Sequence, residues 1–161
     1  MHRHHESIRL PSAHYLGQRR YFITMCCEKR HPLFSNPATV TLLIHVLREK
    51  STEYNFAIDA YCAMPNHLHF LARGLNPSAN LLDFIHDFKQ KTAHDYQTAH
   101  GRTLWQKKFY DHILRESDHG ESVANYIWQN PVRKEICNNP REYPASGSFT
   151  LDWKNLISPA A

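Results

Sequence analysis

The residues with the most chemistry in this chain are His67-Leu68-His69 and, further on, Tyr126 and Asn130. On a β-strand alternate side chains share a face, so His67 and His69 point one way while Leu68 and Phe70 point into the opposite layer. Two imidazoles side by side form a natural pair of metal ligands. The same pattern also fits two half-exposed strand histidines, in a chain that has 13 of them. Tyr126 and Asn130 are four apart, which puts them on one helical face. Asn130 can offer a carbonyl oxygen to a metal, with the Tyr126 phenol one turn away near the same ion. A phenol is a weak nucleophile until ionised. A divalent cation that polarises a phosphodiester makes its attack feasible. The plainer alternative for Tyr126 is an amphipathic residue at a helix–sheet boundary.

A basic, aromatic stretch follows the same theme. Residues 102–115 carry Arg102, Lys107, Lys108 and Arg115, with Trp105 and Tyr110 among them and Asp111 as the one acid. Cations for phosphates and rings for base stacking are the usual means of holding a single strand. The alternative is a solvated basic face with Trp105 anchored in the core. Lys89, Lys91 and Arg133 are further phosphate candidates, each equally readable as a surface charge. Arg19 and Arg20 close an N-terminal arm and are phosphate candidates too, although nothing in the sequence places that arm. His112 shares a strand face with Tyr110 and Leu114, and reads either as an outer partner of the histidine site or as a hydrogen-bonded structural residue. His2, His4 and His5 read as part of an exposed arm with no scaffold to hold a metal.

Positioning these groups requires a small set of elements. Residues 1–18 read as an irregular basic arm, residues 19–138 as the catalytic domain and residues 139–161 as a mostly irregular tail rich in Pro, Ser and Gly. Within the domain, 20–27 is a short apolar strand. Asn36-Pro37 starts a helix whose apolar residues Val40, Leu43, Ile44 and Leu47 recur at helical spacing. Residues 55–63 and 67–72 read as strands joined by the break Met64-Pro65-Asn66, an antiparallel hairpin in which Phe56, Ile58, Ala60 and Cys62 alternate with polar positions. A second helix spans about 79–97, with Leu81, Leu82, Ile85, Phe88, Thr92 and Tyr96 facing inward. A fourth strand fits 109–114, and a third helix about 119–130, limited by Pro131. The order β-α-β-β-α-β-α predicts an α+β protein. Its frame is a ferredoxin-like split-βαβ antiparallel sheet, with two helices on one face and the tyrosine-bearing helix on the other.

Composition narrows the function classes. With 161 residues, 42% hydrophobic and 21% charged, the chain is one ordinary domain rather than a disordered or coiled-coil protein. No run approaches the length of a membrane span and no secretory apolar core is present, so the expectation is a cytoplasmic protein with no membrane partner. The net charge of +4 suits a polyanionic partner. Cys26, Cys27, Cys62 and Cys137 form no CxxC pair and read as free thiols.

The segment Ala63-Met64-Pro65-Asn66-His67-Leu68-His69-Phe70 resembles the histidine–hydrophobic–histidine (HUH) motif of single-tyrosine transposases. Leu104-Trp105-Gln106-Lys107-Lys108-Phe109-Tyr110-Asp111-His112 is similar to the WQ…F…H stretch of the REP-associated tyrosine transposases. Asn125 to Arg133 resembles their YI..NPV+ segment, and Tyr143-Pro144-Ala145-Ser146-Gly147-Ser148 their YPxSS ending. These motifs occur in the family's order over roughly residues 15–150. The resemblance implies that Tyr126 is the nucleophile, that His67 and His69 are metal ligands, and that Asn130 is the third. Two histidines alone would favour zinc; the resemblance points instead to Mg2+ or Mn2+. It implies cleavage of single-stranded or hairpin DNA at palindromic structure through a 5′-phosphotyrosine link, by a monomer or homodimer. Tyr126 has no second tyrosine at helical spacing, as the single-tyrosine branch requires. Rival readings are a hairpin-binding module for DNA or RNA that does not cut, a zinc hydrolase using Asp59 or Asp111 as base, and a protein-interaction domain.

Overall fold

The computed structural model describes residues 10–158; His2, His4, His5 and the first half of the arm lie outside them. Strand β1 (Arg20–Cys26) sends Tyr21, Ile23 and Met25 to one side and Phe22 and Thr24 to the other. Helix α1 (Pro37–Glu53) begins where expected: the Asn36 side chain accepts from Ala38 N at 3.0 Å, and proline occupies the first helical position, where no N–H is needed. Strands β2 (Phe56–Met64) and β3 (His67–Gly74) form the hairpin, with Pro65-Asn66 as a two-residue turn between the paired Met64 and His67. Helix α2 (Leu81–His100) is capped by the Asn80 side chain and closed by Gly101 in the left-handed conformation, φ 67°. Strand β4 (Tyr110–Ile113), helix α3 (Gly120–Trp128), the single turn α4 (Asn130–Arg133), strand β5 (Ser146–Gly147) and the turn α5 (Trp153–Leu156) complete the chain.

The sheet order is β4-β1-β3-β2-β5, with every pair antiparallel. Its first four strands, with α1 and α2 as the connections, have the split-βαβ topology that the element order predicts. The larger apolar core lies between the sheet and α1 and α2, around Phe56, Phe70, Phe84, Phe88 and Trp105. A smaller core on the other face packs Ala124, Ile127 and Trp128 of α3 against Ala60, Cys62, Met64 and Leu71. The fold is therefore the expected α+β arrangement.

Three local expectations are corrected. Simple alternation would put Phe56, Ile58, Ala60 and Cys62 on one face. A bulge between Ile58 and Ala60 divides them instead, so Phe56 and Ile58 face α1 and α2 while Ala60 and Cys62 face α3. Phe84, absent from the expected stripe of the second helix, is fully buried beside Leu81, Ile85, Phe88 and Thr92, while Leu82 is only partly buried. The third helix ends at Trp128, so Asn130 starts a separate turn rather than continuing the Tyr126 face.

Residues 139–158 are mostly irregular yet closely packed. Ser146 and Gly147 add the fifth strand beside Tyr61 and Cys62. Tyr143 Oη donates to the Ala63 carbonyl at 2.7 Å, and Trp128 Nε1 donates to the Gly147 carbonyl at 2.9 Å. All four cysteines are free thiols. Among the described residues no helix is long and apolar enough to cross a membrane.

Candidate active site

The β1–β3 register sets His69 opposite Thr24 and His67 opposite Cys26, on the sheet face that carries α3. Each imidazole is held from behind. His67 Nδ1 lies 2.6 Å from Asn66 Oδ1 and His69 Nδ1 lies 2.8 Å from Thr24 Oγ1. With those two nitrogens donating, the Nε2 lone pairs of both rings face each other across 3.0 Å. Asn130, buried at 4% exposure, places its side-chain amide 3.5 Å from His67 Nε2.

Both histidines are held neutral. Burial, then the charges of Arg30 and Lys134, push His67 down to about 4. Burial, then His67, Arg133 and Arg30, push His69 down to about 3. Neutral imidazole is the form that binds a metal. Two lone pairs so close repel unless a cation or a proton lies between them. Fixing Nδ1 with an outer hydrogen bond is the usual way to orient a histidine ligand. Two imidazole nitrogens plus an amide that can turn its oxygen inward therefore fit a divalent ion with open positions. Among the described residues no cluster of three His, Cys, Asp or Glu side chains exists, and the third donor here is an amide.

Tyr126 is 52% exposed on α3 and meets the Phe22 ring edge-to-face at 6.1 Å. Phe22 in turn packs on His69 at 5.3 Å. The phenol and the histidine pair thus share one face and one intervening ring. Arg133 comes back from α4 to lie over Tyr126, its guanidinium carbon 3.8 Å from the ring centre. Its Nη1 also donates to the Tyr126 carbonyl at 2.8 Å.

The remaining sequence candidates are dispersed. Lys107, Lys108, Arg115, Arg19 and Arg20 are exposed. Arg19, Arg20 and Arg115 line an open groove of about 780 Å3 along the β4 edge, together with His14 and His112. Trp105 is corrected from a base-stacking residue to a core residue. It is 5% exposed, packs on Phe34 and Phe88, and donates from Nε1 to Thr92 Oγ1 at 2.8 Å. Lys89 is corrected as well: it donates to the carbonyls of Gln106 and Lys107, each at 2.9 Å, and so holds the loop before β4. Lys91 pairs with Asp95 at 2.8 Å on the same helix, in the layer opposite the histidines. His112 lies beside Phe22 in the β1–β4 register but points to solvent, 3.5 Å from Asp118, and does not touch the histidine pair.

Neither carboxylate proposed for a zinc hydrolase is at the site. Asp59 is bound by Arg73 at 2.9 and 3.1 Å and by Thr150 at 2.7 Å. Asp111 pairs in register with Ile23, whose side chain faces α1 and α2, and so projects from the opposite sheet face. Sequence reasoning missed Thr24, Phe22, Arg30 and Lys134. The first two become visible only once β1 is registered against β3, a pairing 45 residues apart at Thr24 and His69.

Residues 16–130 match the family model described as "Transposase IS200 like". A REP-associated tyrosine transposase of Escherichia coli (strain K12) is 22% identical over 126 residues, covering 73% of this chain and 74% of the relative. An uncharacterized protein of Haemophilus influenzae is 24% identical over 160 residues, covering 80% and 89%. Among solved structures, a REP-associated tyrosine transposase bound to a REP hairpin superposes with a TM-score of 0.76 at 21% identity, covering 96% of this chain and 88% of that one. A putative transposase from Deinococcus radiodurans superposes with a TM-score of 0.53 at 18% identity, covering 77% and 92%. A family match over most of the chain, on a fold that sets a histidine pair and a tyrosine on one face, makes this chain a member of the IS200-like transposases, enzymes that cut and rejoin DNA strands.

Proposed function

We propose that this transposase is a metal-dependent strand transferase acting on single-stranded DNA at hairpin structures, through a 5′-phosphotyrosine intermediate. The observation that carries the reading is the facing Nε2 pair of His67 and His69, with Asn130 beside it and Tyr126 joined to it through Phe22. The REP hairpin held by the structural neighbour supports a DNA hairpin as the substrate class.

Tyr126 Oη attacks the phosphorus of a phosphodiester. The new P–O bond to tyrosine forms as the P–O3′ bond breaks, and the phenol proton passes to the departing 3′ oxygen. The products are a 5′-phosphotyrosine and a free 3′-hydroxyl. A second 3′-hydroxyl reverses the step, rejoining a strand and restoring the phenol with no nucleotide hydrolysed. Mg2+ or Mn2+ bound by the two Nε2 atoms and the Asn130 amide oxygen would supply the polarisation of the phosphoryl oxygen. The chain's own part is positional. Thr24 and Asn66 fix the ring tautomers, and Phe22 fixes the distance between phenol and imidazoles.

Covalent trapping tests the reading. The protein is incubated with Mg2+ or Mn2+ and a labelled hairpin DNA taken from sequence flanking its own reading frame, then run on a denaturing gel. A slow protein–DNA band is expected, absent in Tyr126→Phe and weakened in His67→Ala. Binding of such hairpins with no band under either metal would show a binding module instead.

A further inference from the structure

We propose that Arg133 is a positioning residue for the nucleophile, holding the Tyr126 ring in its attacking orientation rather than serving as a phosphate contact. The inference rests on Tyr126 being the nucleophile, and adds a residue whose side chain acts through it.

The geometry is specific. Tyr126 lies in the last turn of α3, where carbonyls lack donors from their own helix. Pro131, with no N–H, cannot extend the ladder. The chain turns at Gln129 into α4, and this turn returns Arg133 to the residue seven positions earlier. One guanidinium then does two things on one residue. Nη1 donates to the Tyr126 carbonyl at 2.8 Å, and the guanidinium carbon lies over the ring, 3.8 Å from its centre. Phe22 meets the same ring edge-to-face. A tyrosine that is half exposed would otherwise rotate freely about χ1 and χ2. With its main chain tied to the group stacked on its ring, that freedom is lost before substrate arrives. Holding a reacting group in place can supply a large part of a rate enhancement. Lysine could supply charge at a helix C-terminus, but not a planar group that stacks and donates together.

A helix-capping role alone would affect stability, and a phosphate contact would affect DNA affinity. The experiment separates these from positioning. Arg133→Gln and Arg133→Lys are compared with the parent chain for thermal stability, for affinity to the labelled hairpin by fluorescence anisotropy, and for the single-turnover rate of adduct formation at saturating DNA. For Arg133→Gln the expected result is a rate lowered by roughly 10- to 100-fold, the size expected of a misplaced reacting group, with hairpin affinity and melting temperature nearly unchanged. Arg133→Lys should recover only part of the rate. An unchanged saturating rate overturns the proposal, as does a loss confined to affinity with a shallower salt dependence. Aromatic NMR of the resting protein provides a readout without catalysis. The Tyr126 ring signals should be displaced in the parent chain and move toward free-tyrosine values in Arg133→Gln. Signals that do not move overturn the positioning role. If the parent chain forms no adduct, the strand-transfer reading fails, and the NMR result still decides the role of Arg133.

Discussion

A histidine pair serves a cation only while both rings stay neutral, and here burial enforces that. His67 at about 4 and His69 at about 3 lie well below the ordinary 6.5. Their effect on stability has a definite direction. In the unfolded chain both rings take up protons as the pH falls through about 6.5, whereas the folded chain resists until about 4 and then about 3. The unfolded state therefore binds more protons across that window, and stability present above it is lost on acidification. Urea midpoints measured without metal between pH 7 and pH 4 should fall with pH in the parent chain. In a His67→Asn/His69→Asn double variant they should fall less steeply, and equal slopes would count against these shifts. At this scale the sequence was informative about identity but not about partners. The HxH spacing alone places both rings on one face, and Asn66 is the adjacent residue. Thr24, Phe22 and the stacking of Arg133 depend on contacts between distant segments, and Trp105 looked like a base platform because its core partners Phe34, Phe88 and Thr92 lie on other elements.

Elements were legible wherever a local signal fixed them. Asn36-Pro37 and Asn80 start the two long helices by capping chemistry readable in a few residues, and Gly101 ends the second. Strand β2 departed from its pattern because the cause is remote. Asp59 sits at the bulge and is satisfied by Arg73 from β3 and by Thr150, 91 residues away. A nearly buried carboxylate holding a bidentate arginine is a strong local constraint, and it fixes where the strand changes faces. Replacing it by Asp59→Ala leaves the Arg73 guanidinium with neither charge partner nor hydrogen bonds. Complete burial would make that loss costly, but Arg73 retains 37% side-chain exposure and water can replace part of what is lost. A destabilisation of about 1–3 kcal/mol is expected by chemical denaturation. The DNA adduct should still form under conditions where the variant is folded, because the bulge lies at the far end of β2 from His67. A stability change below a few tenths of a kcal/mol would show that the pair is only a surface contact.

At the level of the whole molecule, one sheet is covered on both faces, but unequally. Helices α1 and α2 cover the larger core, joined by Phe34, Trp105 and Ala145 from connecting segments. The face that carries the chemistry depends on a nine-residue helix, α3, and on a tail that supplies a fifth strand, the Tyr143 hydroxyl and the Gly147 carbonyl. Little of this is legible in the tail's residues, because Pro-, Ser- and Gly-rich composition describes the absence of regular structure and says nothing about packing. Gly147 is where the tail comes closest: a Cβ there would stand 2.4 Å from Tyr61 Oη and 2.6 Å from its Cζ. Tyr61 is itself packed beneath Phe149 at 5.1 Å and cannot swing clear without undoing that contact. Gly147→Ala should therefore lift the tail from β2 and take the acceptor of Trp128 Nε1 with it. The expected cost is about 1–3 kcal/mol, the range for an overpacked interior. The cost should also be confined to the elements that meet the tail. Stability in such folds is distributed in cooperative units, and this contact touches two of them: Tyr61 and Phe149 belong to the larger core, with the Arg48 guanidinium of α1 4.0 Å from the Phe149 ring centre, while the Gly147 carbonyl holds Trp128 of α3. Amide hydrogen exchange should show residues 120–128 and the part of α1 around Arg48 losing protection in the variant while α2 keeps its own, with adduct formation slowed because the nucleophile's helix is less often in place. Loss spread evenly over the sheet would mean that the two faces unfold as one unit. Unchanged protection of α3 would mean that its anchoring comes from the sheet alone and not from the tail.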